Sequence, residues 1–181
     1  MASGLTIFVF CVAVAIGVGM VWYDSSVGGV VLEILGEELF DQILDDNSLI
    51  ISIKIFLNNL IACLLLFAGG ATFGIITLFI LIANGIIIGI VLEAVRVQEG
   101  IAYVLVAIVP HGIFELPALF ISGALGFCIA EALWNEWHDK GDAAETARGH
   151  FRVFIRIVIP LVAVAALIEA FITPQILNLL L

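Results

Sequence analysis

The sequence is poor in charge, and poorest in positive charge. Charged residues make up 12% of its 181 positions, and only six are Lys or Arg against sixteen Asp or Glu, a net charge of −10. Six scattered cations form no basic patch that could track a phosphate backbone, so nucleic acid is excluded as a partner. Long polar stretches are scarce as well. Hydrophobic residues reach 64% and the mean hydropathy is +1.28, where a soluble domain carries about 45–50% apolar residues. Cysteine is limited to Cys11, Cys63 and Cys128, each inside an apolar run. Their spacing suggests neither a disulfide nor a zinc site, so they read as small buried hydrophobes. The chain contains no G-x-S-x-G, H-E-x-x-H, Walker or CxxC signature, and no cofactor is expected.

What the sequence has instead is apolar runs of membrane-spanning length. Hydrocarbon offers no partner to a backbone N–H or C=O, so a span is a helix or part of a closed barrel. Barrel strands alternate apolar and polar residues over about ten positions. These runs are apolar on every face, which selects helices. The expected fold is therefore all-α, a polytopic bundle of about five spans near residues 5–22, 49–68, 71–92, 113–133 and 151–173. The first run ends in Trp22-Tyr23, an interfacial pair. It lacks a basic leader and an A-x-A cleavage site, so it reads as an uncleaved span. Gly69-Gly70 divides the next apolar stretch. Ile101 to Trp134 is too long for one span and is divided by Pro110-His111-Gly112, which predicts a re-entrant or half-helix segment over 101–110. Thr173-Pro174 should stop the last span.

Two segments differ in kind. Over residues 27–47, Leu32, Leu35, Leu39 and Ile43 recur at helical spacing, with Glu33, Glu37, Glu38, Asp41, Asp45 and Asp46 on the other arc. That pattern predicts an amphipathic helix with a solvated acidic face along the membrane surface. The polar stretch 135–150 and the start of the last span carry Lys140, Arg148, Arg152 and Arg156, against Lys54 and Arg96 on the other side. The positive-inside bias places 135–150 in the cytoplasm, 27–47 outside and the N-terminus inside, in the cytoplasmic membrane. Arg148, Arg152 and Arg156 form one stripe whose side chains snorkel to headgroups.

The residues most informative about function are those a bilayer should reject. Proline has no N–H, so Pro110 deprives the Val106 carbonyl of its helical partner, and Pro117 does the same to Ile113. His111 and Glu115 are four apart and share a helix face. With Ala118, Ser122 and Gly126 they fall within roughly one 80° arc, which continues as the small-residue ladder Ala118, Ser122, Gly126, Ala130. Asn58 and Asn59, Asn84, Glu93 and Glu169 lie in other spans and are candidates to join His111 and Glu115 in a polar intramembrane cluster. Such a cluster can hold helices together by hydrogen bonds, or it can be a transport or ion site. As metal ligands, His111 and Glu115 are a weak pair, because zinc sites show a third strong ligand.

The run Asn58-Asn59, the glycines of the following span, Asn84-Gly85, then Pro110-His111-Gly112 with Glu115, and Ser122-Gly123-Ala124-Leu125-Gly126 resemble the core of the stage II sporulation protein M family, over about residues 48–175. The resemblance implies a membrane anchor that recruits peptidoglycan-remodelling or other envelope proteins, as the founding member does. It implies no accepted enzymatic mechanism. The acidic outer segment and the missing basic N-terminal tail depart from a sporulation member. Function is thus expected to be scaffolding of envelope machinery, with passage of a small solute or ion through the His111/Glu115 site as the alternative. An intramembrane metal-dependent enzyme is a remote third. The bilayer is one expected partner and a second copy of the chain another: the Gly/Ser/Ala ladders outnumber what one small bundle would use, which predicts a homodimer.

Overall fold

The computed structural model describes residues 2–43 and 47–180. Helix follows helix: α1 Ala2–Tyr23, α2 Ser25–Ile43, α3 Ser48–Ala68, α4 Ile75–Glu99, α5 Ile101–Trp137, α6 Ala143–Val153, α7 Ile159–Leu167 and α8 Thr173–Leu180. Among the described residues, five stretches are long and apolar enough to cross a membrane: Ala2–Tyr23, Ser48–Thr72, Ile75–Glu99, Ile101–Trp137 and Ala143–Leu177. The all-α bundle read from the apolar runs is the architecture observed.

The bundle is assembled where side chains are smallest. The most extensive interface joins α1 to α4. At Gly17 a Cβ would strike the Ile86 carbonyl, at Gly89 the Val14 carbonyl, and at Gly85 the Ala13 methyl. With no water to expel between helices in lipid, such close packing is the main source of association. A second seam joins the α3–α4 turn to α5. Gly70 lies against the Gly126 backbone, Gly126 lies against the Leu66 carbonyl, and the Thr77 hydroxyl donates to that same carbonyl at 2.8 Å. Gly123 packs on Thr6, and Gly28 of α2 packs on Ala94 of α4. The expectation of a homodimer rests on ladders left over once the bundle is built. The bundle uses many of these faces itself, while Gly4, Gly19 and Gly29 face open space.

The chain reverses where glycine permits it. A 3-10 turn over Gly69–Thr72 follows α3, and Phe73 and Gly74 take the left-handed conformation (φ 54° and 82°). Thr72 then caps α4 by accepting from the Ile76 N–H at 3.0 Å. At the same end of the bundle the Phe73 ring meets Trp137 edge-on at 6.2 Å. At the opposite end, Glu93 of α4 accepts from Trp22 Nε1 at 2.5 Å and from Arg96 Nη2 at 2.6 Å, clamping the end of α1 to the end of α4. Between Tyr23 and α2, Ser26 donates through its hydroxyl and its N–H to the Asp24 carboxylate, holding that exposed group below the usual carboxylate range.

Several details differ from the sequence reading. The segment 101–110 is not re-entrant: α5 runs unbroken for 37 residues through both Pro110 and Pro117. Its length of about 55 Å exceeds the hydrocarbon thickness of about 30 Å. In lipid, helix is the one local geometry that satisfies the remaining backbone groups, so a proline costs its own bond without ending the helix. Thr173-Pro174 does not stop the last span either. Wide π turns over Phe154–Val158 and Ile168–Ile172 directly precede Pro160 and Pro174, and helix resumes after each. Widening the helix accommodates the ring that would otherwise meet the carbonyl four residues back. The polar stretch 135–150 is mostly helical, with α5 and α6 enclosing only residues 138–142; Asp142 caps α6 by accepting from the Glu145 N–H at 2.9 Å. On α2, Glu33 is exposed; the side chains of Glu37, Glu38 and Asp41, and all of Asp45 and Asp46, lie outside the described residues.

The glycine seam makes a direct prediction. Gly17→Ala and Gly89→Ala should each destabilise the detergent-solubilised protein by about 1–3 kcal/mol, the usual penalty of overpacking, seen as a lowered Tm. Gly19→Ala, with open space at its Cβ position, should leave Tm unchanged or slightly raised.

Candidate functional site

α1 and α3 make no extended contact with each other, although each packs on α4 and α5. A cleft of about 1020 Å³ is left between them. Its walls are Phe10, Cys11, Val14 and Ala15 of α1 and Ile51, Lys54, Ile55, Asn58 and Asn59 of α3. Its floor comes from the second half of α4 (Ile87 to Leu92) and from Ile108 to Phe120 of α5, and Leu35 of α2 also reaches it. The cleft lies in the half of the bundle where α3 begins and α4 ends. Most of its surface is apolar, with a few converging polar groups, the usual composition of a small-ligand site.

Those polar groups come from three spans. On α3, Lys54 and Asn58 are one helical turn apart and share a face, with Asn59 beside them. On α5, His111 and Glu115 stack as their spacing requires: His111 Nε2 stands 4.0 Å from Glu115 Oε2. Gly112 between them keeps the floor open. Glu169 enters from the π turn Ile168–Ile172, on the bundle-facing stripe that includes Val162, Ala166 and Thr173. Ligand atoms of His111, Glu115 and Glu169 all lie within 4.8 Å of one another. His111 Nδ1 is buried with no hydrogen-bond partner among the described residues. At 4.0 Å His111 and Glu115 do not hydrogen-bond directly, so the cluster is not a closed structural network.

Of the residues singled out in the sequence, His111, Glu115, Glu169, Asn58 and Asn59 line this one cleft. Three others sit elsewhere. Asn84 turns back along its own helix, donating Nδ2 to the Ile80 carbonyl at 2.8 Å. Ser122 donates to the Ala118 carbonyl at 2.7 Å and is fully buried at a helix contact. Glu93 is committed to Trp22 and Arg96. Asn84 and Ser122 satisfy themselves within their own helices, and Glu93 does so within α4 and across to α1. Pro110 and Pro117 lie inside α5, flanking the pair. Lys54 is the cleft residue the sequence reading did not assign to the site; its spacing of four from Asn58 was the available signal.

A bundle of five apolar helices around a cleft with a few converging polar groups defines a multi-pass helical membrane protein. The chain belongs to the stage II sporulation protein M family, whose model matches residues 6–174. The match begins within α1, well before the residues 48–175 that carry the resemblance, so α1 and α2 belong to the shared unit. The chain is 36% identical over 131 residues to an uncharacterized protein of the archaeon Methanocaldococcus jannaschii, covering 71% of this chain and 74% of that one. No solved structure matches the chain.

Solvent access to the cleft can be read by cysteine labelling in membranes, with Cys11, Cys63 and Cys128 replaced by serine. Asn58→Cys should react with a small hydrophilic methanethiosulfonate from the same face as Val97→Cys, and Lys140→Cys from the opposite face. An Asn58→Cys inert from both faces would mean a dry cleft. Glu93→Gln, which weakens the clamp between α1 and α4, should lower Tm without changing that labelling.

Proposed function

We propose that the chain binds a small polar solute or ion in this cleft and passes it across the membrane. The carrying observation is the convergence of Lys54, Asn58, Asn59, His111, Glu115 and Glu169 on one cavity inside a mostly apolar bundle. Magnitudes favour a functional cluster over a structural one. An ionisable group at the bilayer centre costs roughly 2.5–3.5 kcal/mol on insertion scales, so two glutamates cost about 5–7. An interhelical hydrogen bond returns about 0.6 kcal/mol on average. Even at half that depth the cost outruns what helix-to-helix bonding returns, and His111 and Glu115 do not bond directly.

α5 is not unwound as transporter helices often are. Val106 and Ile113, whose carbonyls Pro110 and Pro117 leave without an N–H, do not line the cleft, so the polar contribution of α5 is the side chains of His111 and Glu115. With Lys140, Arg148, Arg152 and Arg156 on the cytoplasmic side, the cleft opens toward the exterior of the cytoplasmic membrane and residues 27–47 lie outside.

A scaffold or anchor for envelope and peptidoglycan-remodelling proteins is the second reading. Exposed Glu33 on α2 and exposed Arg148 and Arg152 on α6 give it surfaces on both sides of the bilayer. The two readings separate in proteoliposomes. Flux of monovalent, divalent and small organic ions through wild-type protein should fall at least tenfold in His111→Ala and Glu115→Gln, with folding checked by circular dichroism and gel filtration. Absence of flux for every ion tried, with both variants retaining the cellular role of the protein, would leave the scaffold.

A further inference from the structure

We propose that His111, Glu115 and Glu169 bind a divalent first-row transition-metal ion. As an assignment of cargo this rests on the passage reading above; as a binding site it stands without it.

The decisive feature is Glu169. His111 and Glu115 alone are two ligands on one helix turn, and two ligands do not make a metal site. The fold brings a third from the last span, so that one imidazole nitrogen and one oxygen from each carboxylate lie within 4.8 Å of one another. Ligands around a metal at 2.0–2.2 Å stand about 3–4 Å apart, so closing the set needs side-chain rotations and no movement of helices. α3 and α5 both pack on the turn that carries Glu169, so the helices holding the three ligands are in contact.

Two further observations point to a cation. The His111 ring has a buried Nδ1 that nothing among the described residues satisfies, and its Nε2 falls short of a hydrogen bond to Glu115 at 4.0 Å. A buried polar atom without a partner calls for an unseen ion or water. The two carboxylates also face each other in a mostly apolar cleft, where like charges are least screened. Lys54 stands on the facing wall of the same cleft. A divalent ion neutralises the carboxylate pair, and the mixed donor set selects the class. Carboxylates suit magnesium, calcium or manganese, and an imidazole suits iron, nickel, copper or zinc. One imidazole with two carboxylates favours the first-row ions, with manganese as the spectroscopically visible probe. Asn58 and Asn59 line the same cleft and offer amide oxygens to complete the coordination.

The test is Mn2+ binding to the full chain in nanodiscs, followed by loss of the free-ion electron paramagnetic resonance signal, with excess Mg2+ present. Wild type should take up one equivalent. His111→Ala, Glu115→Gln and Glu169→Gln should each weaken binding at least tenfold, while Asn84→Ala and His138→Ala leave it unchanged. Glu169→Asp, the conservative variant, should retain measurable binding if Glu169→Gln fails to fold. A folded wild type that binds no Mn2+, or binding indifferent to Glu169, would overturn the site. Running the flux assay on the same preparations keeps the two ideas apart. Mn2+ bound without flux of any ion sustains the site and removes the cargo assignment. Flux of another solute with no Mn2+ bound sustains passage and overturns the metal.

Discussion

Hydrocarbon supplies no hydrogen-bond partner, and most of this structure follows from that. Every backbone N–H and C=O in the spans must be satisfied locally, so the chain is helix wherever it crosses. The same constraint explains why four prolines fail to terminate a span. Pro110 and Pro117 are carried through α5, and Pro160 and Pro174 are each preceded by a π turn that makes room for the ring. In water, freed carbonyls would find solvent and the helix could end. In lipid, ending it would expose several groups to avoid the loss of one.

The second consequence concerns how helices find one another. Lipid tails are as apolar as leucine, so burying side chains between helices gains little. Contacts must come from close approach, and glycine allows the backbones of α1 and α4, and of the α3–α4 turn and α5, to touch. Packing on these seams, α1 and α3 are each held to α4 and α5 while standing apart from one another. The cleft is the space that this arrangement leaves open. The feature that gives the protein a candidate function is thus a by-product of where its glycines fall.

The polar residues divide along the same line. Asn84, Ser122 and Glu93 find partners within reach and serve the frame. His111, Glu115 and Glu169 face a common space without a closed network of bonds among them. The family match spans residues 6–174 and so attaches to the whole frame from α1 onward rather than to the His111 segment alone.

From sequence alone the number of long apolar helices, the all-helical class and the face shared by His111 and Glu115 were legible, because each depends on local periodicity and on the length of an apolar run. The family was legible too, from the polar residues interrupting those runs. Three things needed the tertiary structure. Glu169 was one of several polar residues that could join His111 and Glu115. It stands 54 positions from Glu115, and no pattern along the chain says that it meets the pair while Asn84 and Glu93 do not. The continuity of α5 was hidden because Pro-His-Gly reads as a break, and only the lipid environment with packed neighbours makes the unbroken helix the cheaper choice. Many of the small residues close on faces of the same bundle, and which of them do so cannot be read along the chain. Local geometry is encoded in neighbours along the chain; which faces meet is settled by the packing of all five spans together.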